Sequence, residues 1–130
     1  MLIFGHRFIP SDSFYHIVNI EDILHTPPSS TIYLNFQESN LDIITHANEN
    51  GIDMALTVTN IEQLIYAASL NARYIIVEKE IAKTAQNIAE NYLFDAKILV
   101  KIETEEEIEE IALLGIDGVL LSNAVVKITS

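Results

Sequence analysis

The stretch Ala55-Leu-Thr-Val-Thr-Asn-Ile-Glu-Gln-Leu-Ile-Tyr-Ala-Ala-Ser-Leu-Asn-Ala-Arg-Tyr-Ile-Ile-Val77 decides the fold. An apolar, β-branched run leads to Asn60, a plausible helix N-cap with Gln63 three residues on. Ile61, Leu64, Ile65 and Ala68 then recur at helical spacing, and Tyr74 to Val77 is a second apolar run. The same rhythm aligns without a gap on Leu99 to Leu121. There Leu99-Val-Lys-Ile-Glu-Thr precedes a Glu-rich helix pattern and Ile116-Asp-Gly-Val-Leu-Leu. Strand, helix, strand at this spacing is a βαβ unit.

Working outward, Thr31 to Phe36 reads as a strand, and residues 40–50 as a helix stopping at Asn50-Gly51. Met54 to Val58 is a strand, Ile81 to Tyr92 a helix, and Ile98 to Ile102 a strand. The last helix begins at Thr104, with Glu107 completing a Thr-x-x-Glu capping box. Ile108, Ile111 and Ala112 form its apolar stripe, Gly115 ends it, and Val119 to Leu121 is the last strand. From residue 31 the order is therefore β-α-β-α-β-α-β-α-β. Short connections and continuous apolar strands predict an α/β domain with a mostly parallel sheet of consecutive βα units. A flavodoxin-like open sheet is favoured over a half TIM barrel, because a chain of this length can then close its own core.

The chain reads as one domain, with residues 31–124 regular and residues 1–30 irregular. Short strands are expected at 2–4 and 14–19, around the turn-like Ile9-Pro-Ser-Asp-Ser, with a break at Thr26-Pro-Pro-Ser-Ser. This third is expected to add an antiparallel edge or a hairpin. Its aromatics Phe4, Phe8, Phe14 and Tyr15 would build the edge core or a homodimer surface.

A chain of 130 residues buries roughly two-thirds of its unfolded surface. With no cysteine there are no disulfides, thiol nucleophiles or zinc-thiolate sites, which fits a cytoplasmic protein. No apolar run approaches a membrane span, and the N-terminus lacks a signal-peptide pattern. A net charge of -12, with seven scattered Lys and Arg, argues against nucleic acid and anionic membranes as partners. No Gly-rich phosphate fingerprint is present.

Parallel α/β proteins place ligands at the C-terminal ends of strands. Those ends carry Gln37 and Glu38, Thr57 and Thr59, Glu78 to Glu80, Lys101 and Glu103, and Ser122 and Asn123. Lys101 stands in an apolar strand pattern, and a desolvated lysine can form a Schiff base. The alternative is that it reaches past the strand end to pair with Glu103 or Glu78. Those two carboxylates are the candidate metal ligands, for a hard divalent cation. Four histidines occur, none at i, i+4 with another, and His6 and His16 would approach each other if their strands pair.

The segment Ile98-Leu-Val-Lys-Ile-Glu-Thr104 through Gly115-Ile-Asp-Gly-Val-Leu-Leu-Ser-Asn-Ala124 resembles the later strands of TIM-barrel enzymes. Its Lys-Ile-Glu-Thr start is similar to a strand of the citrate-lyase and pyruvate-kinase-type barrels, and the resemblance implies that Glu103 would ligate Mg2+. Its end is similar to phosphate-binding barrels, which implies an anion cradle at Ser122, Asn123 and Ala124. The magnesium families carry an aspartate soon after the last strand, where Asn123-Ala-Val-Val-Lys has none. The phosphate barrels have glycine where Ser122 stands. The chain is also about half a barrel long, so common ancestry would imply a truncated or repurposed half-barrel.

A complete scaffold beside incomplete chemistry leads to a non-catalytic module without a cofactor. It would bind a small anionic metabolite or a protein partner, including a second copy of itself. The alternative is an aldolase- or lyase-like enzyme acting on a phosphorylated or carboxylated metabolite, with Lys101 or Mg2+ at Glu103 as the electrophile.

Overall fold

The computed structural model describes residues 1–128. It contains β1 (Leu2–Phe4), β2 (Phe14–His16), β3 (Thr31–Asn35), α1 (Leu41–Glu49), β4 (Met54–Thr57), α2 (Ile61–Ser69), β5 (Tyr74–Val77) and α3 (Lys79–Asn91). β6 (Lys97–Ile102), α4 (Glu107–Leu113), β7 (Gly118–Leu121) and β8 (Val125–Lys127) follow. All seven pairings are parallel, and the strands form one sheet in the order β1-β7-β6-β5-β4-β3-β2-β8.

The parallel α/β sheet of consecutive βα units is what the chain forms. The sheet is open, with no strand pairing between β1 and β8, but its strand order is that of a half-barrel. From β2 to β7, neighbours in sequence are neighbours in space, without the reversal that marks a flavodoxin-like switch point. The reason lies in the winding. Each right-handed βα step adds its strand on the same side of the last, so the helices gather on one face and the twisted sheet curls.

Period-two alternation then separates two cores. One face turns Ile32, Leu34, Leu56, Ile75, Ile98, Val100 and Val119 toward the helices, where they meet Ile44, Leu64, Ala82 and Ile111. The other face, concave, is filled by Phe4, Phe14, Tyr33, Ala55, Tyr74 and Leu99 with their neighbours. The Phe4 ring lies 5.0 Å from Phe14 and 5.3 Å from Tyr74, so residues from the two ends of the sheet touch across the hollow. A half-barrel usually needs a second half to cover its inner face. Here the chain's own aromatics occupy it, each bringing a large apolar area to the contact.

Residues 1–30 correct the expectation of an antiparallel edge or a hairpin. β1 and β2 lie in different parts of the sheet and do not pair. β1 joins β7, with Leu2 opposite Gly118, and β2 lies between β3 and β8. Gly118 makes the first contact possible, because a Cβ there would stand 2.6 Å from the Leu2 carbonyl oxygen and 2.8 Å from Leu99. Phe4 and Phe14 are core residues, whereas Phe8 is exposed. β2 stops at His16 rather than continuing to residue 19, where Asn19 and Asp22 form a capping box over a short 3-10 turn.

Each of the four α-helices ends on a residue with positive φ, namely Gly51, Asn71, Leu93 and Gly115. At α3 the Phe94 N–H donates to the Ala89 carbonyl and the Leu93 N–H to that of Glu90, a Schellman arrangement with leucine in the left-handed position.

Candidate functional site at the mouth of the curled sheet

The C-terminal ends of the strands frame the mouth of the hollow. Alternation assigns side chains to it. Tyr33, Ala55 and Leu99 belong to the concave core, so Asn35, Thr57 and Lys101, each two residues on, turn the same way at the ends of β3, β4 and β6. His16 ends β2 and sets its ring edge-on to Tyr33 at 5.6 Å. Lys127 ends β8 directly opposite His16. Five strands thus bring His16, Asn35, Thr57, Lys101 and Lys127 to one rim.

The charge at this rim runs against that of the chain. Three of the seven Lys and Arg side chains are engaged with carboxylates, Arg7 with Glu105 at 3.3 Å, Arg73 with Asp53 at 2.6 Å and Lys79 with Glu110 at 3.4 Å. Lys83 donates to the Leu114 carbonyl at 3.1 Å. Lys101 and Lys127 have no acidic partner within 4.0 Å among the described residues, and both are exposed. His16 is held below the ordinary imidazole pKa, first by burial and then by the charges of Lys127 and Lys101, with Asp22 opposing. The two lysines therefore project positive potential onto the imidazole.

Three acids near the rim are engaged, while Glu38, Glu78 and Glu80 stand exposed at other strand ends. Glu103 accepts from Ser122 Oγ at 2.9 Å. Glu107 accepts the backbone N–H groups of Glu103 and Thr104 at 2.9 and 3.0 Å, half of the expected capping box. Those bonds hold its carboxyl below the usual range. Glu105 binds His6 Nε2 at 2.6 Å while the Phe8 N–H donates to His6 Nδ1 at 3.1 Å. An Nδ1 that accepts leaves Nε2 as the donor, so the pair is a latch from the β1 loop to the β6 loop. The His6 hydrogen bond, then Arg7, lowers the Glu105 pKa. His6 and His16 are not brought together as a pair.

Lys101 is where the sequence placed it, between buried Val100 and Ile102, but its side chain is exposed rather than desolvated. The environment a Schiff-base lysine needs is not built around it. It does not pair with Glu103 or Glu78 either. Glu78 is the exposed residue before α3. Glu103 holds Ser122, and no group of three or more His, Asp or Glu that could hold a metal ion occurs among the described residues. Ser122, Asn123 and Ala124 form a 3-10 turn. The Ser122 hydroxyl serves a carboxylate, and Ala124 packs under Gly5, where a Cβ would meet it at 3.0 Å. Asn35 and Lys127 are the rim residues that sequence reasoning did not single out, and His16 was read only as a partner for His6. Their signal was position at a strand end, which for Lys127 was hidden because β8 was not recognised.

Thr57 stands apart at this site. Its Oγ is buried and has no hydrogen-bond partner, the one such side-chain atom among the described residues. The cavities lie elsewhere, among them one of about 480 Å³ lined by Pro27 and Ser29 and one of about 380 Å³ lined by Asp12, Arg73 and Tyr74. Compared with protein-family models and with curated proteins, the chain matches none.

Proposed function

We propose that this protein is a binding module for a small anionic metabolite, received at the mouth of the curled sheet. The observation that carries the reading is the convergence on His16 of exposed Lys101 and Lys127, neither paired with an acid among the described residues, in a chain of net charge -12. Two like charges held together at one rim repel, and an anion between them removes that repulsion. Strand C-termini are where parallel α/β sheets place ligands. The exposure of Lys101 favours recognition over covalent catalysis, so binding stands ahead of the lyase reading.

Isothermal titration with phosphorylated sugars and keto acids at low salt tests this. A saturable anion should bind, weaken as salt rises, and lose at least tenfold in affinity in Lys101→Ala and in Lys127→Ala. Binding that both variants retain in full places the anion elsewhere and overturns the reading.

A further inference from the structure

The hollow of the curled sheet also opens at the end away from the mouth. Tyr74, Thr31 and Phe14 are the first residues of β5, β3 and β2. All three line the cavity of about 380 Å³, together with Phe4, Asp12 and Arg73. Its volume lies within the range of small-molecule sites, about 300–1,000 Å³. Two of its hydroxyls are unpartnered. Tyr74 is 9% exposed and Thr31 7%, and neither side chain makes a hydrogen bond among the described residues. Buried hydroxyls ordinarily find a partner. Neither oxygen is sealed in the core, a condition that among the described residues belongs to Thr57 Oγ alone. Both therefore open onto the cavity that their residues line.

The charges beside them are largely compensated. Arg73 donates to Asp53 Oδ2 at 2.6 Å, with its guanidinium carbon 5.4 Å from the centre of the Tyr74 ring. The Asp53 hydrogen bond first, and the charge of Asp12 among the lesser causes, raise the Arg73 pKa. Asp12 is thus within electrostatic reach of the same guanidinium. One cation facing two carboxylates leaves an excess of negative charge, which repels anions.

We infer that this cavity binds a neutral polyhydroxyl ligand of monosaccharide size, its hydroxyl groups bonded by Tyr74, Thr31, Asp12 and Arg73. Asp12 only accepts hydrogen bonds, Arg73 only donates, and the two protein hydroxyls do either. A ligand that serves all four must give and take. A phosphate or carboxylate brings acceptors alone at its charged end, and an ammonium brings donors alone. Neighbouring hydroxyls on a sugar bring both, one accepting from Arg73 while the other donates to Asp12. Phe4 and Phe14 supply the apolar wall for the C–H face of such a ring. This site is separate from the mouth and does not depend on the anion received there.

The probes are glucose, galactose, ribose and glycerol, each titrated into the labelled full chain and followed by amide NMR. At least one should shift the Thr31, Arg73 and Tyr74 amides saturably at tens of millimolar, with those of His16 and Lys127 unmoved. Its phosphorylated counterpart should occupy the cavity more weakly. Tyr74→Phe and Thr31→Val keep the shape and remove a hydroxyl. Each should weaken the bound sugar about fivefold, the loss of one hydrogen bond of about 1 kcal/mol. Circular dichroism melts establish that both variants fold. No saturable shift at the cavity with any of the four overturns the inference. So does a sugar that both variants bind as the native chain does, or a phosphorylated counterpart that binds there equally well. Loss of sugar binding in Lys101→Ala or Lys127→Ala would move the ligand to the mouth and also overturn it. The anion reading stands or falls by its own titration.

Discussion

Gln86 and Asp117 form a reciprocal pair between α3 and the entry to β7. The Asp117 N–H donates to Gln86 Oε1 at 2.9 Å, and Gln86 Nε2 donates to Asp117 Oδ1 at 3.1 Å. The second carboxylate oxygen accepts the Ile98 N–H at 2.9 Å, at the start of β6. Gln86 is one of three buried polar residues among those described, 3% exposed. One aspartate thus ties a helix and two strands together at the end of the sheet away from the mouth. The Gly-x-Asp-Gly signature that resembles phosphate-binding barrels is here a structural clasp.

Asp117→Ala should therefore cost stability without touching anion binding. It leaves the Ile98 N–H and the Gln86 amide without their acceptor, at about 1–3 kcal/mol for each buried group. Urea unfolding should show a midpoint well below that of the native chain with little change in slope. A shift within error of zero would mean that water replaces the carboxylate.

Gly118→Ala tests how β1 is held. The new Cβ meets the Leu2 carbonyl at 2.6 Å and Leu99 at 2.8 Å, and neither backbone nor packed leucine gives way cheaply. We expect a loss of about 1–3 kcal/mol, with amide exchange accelerated first in β1. Uniform acceleration across the sheet would contradict a local role.

Leu93→Gly should stabilise. Leu93 occupies the left-handed position after α3 at φ 53° and is 84% exposed, so its side chain contributes little packing. Glycine accepts that backbone geometry without steric cost, and a gain of about 0.5–1 kcal/mol is expected in thermal or urea unfolding. Destabilisation would reveal a contact of Leu93 beyond this chain.

His16 supplies a pH dependence. Its folded pKa lies below the ordinary imidazole value of about 6.5, through burial, Lys127 and Lys101, against Asp22. The folded state thus binds this proton less readily than the unfolded chain. Its contribution is fully present above pH 6.5 and is lost as pH falls through the folded pKa. The Tyr33 ring meets the same imidazole edge-on. Phosphate bound between the lysines offsets their charge, so the midpoint of the His16 ring signals by NMR should rise when phosphate is added. A midpoint unmoved by saturating phosphate would place the anion away from His16.

The periodic part of the fold was legible because its signals are local. Asn60 caps α2 by accepting from the Gln63 N–H at 2.9 Å, as the spacing suggests, and Gly51 and Gly115 end their helices as read. The alternation that separates Leu56 from Thr57, or Val100 from Lys101, was also visible. Strand order was not, since a βαβ rhythm is shared by sheets that reverse and sheets that continue. The ends were least legible. Three-residue strands such as β1, β2 and β8 carry too few residues to show a period, and their partners lie at the far end of the chain. The rim inherited that gap. Lys101 and Thr57 could be placed from their own strands, whereas His16 and Lys127 became neighbours only through the pairing of β2 with β8.

That pairing also bears on how the molecule assembles in time. Between β3 and β7, every strand needs only the next βα unit, so these contacts close short loops and form early. Leu2 with Gly118 and Phe14 with Val125 join the two extremities of the chain. They close the longest loops and can form only once the intervening sheet has brought β7 and β8 into place. The cationic mouth, which takes His16 and Lys127 from those extremities, is then the last part of the molecule to come into being. It is also the first that partial unfolding would dismantle.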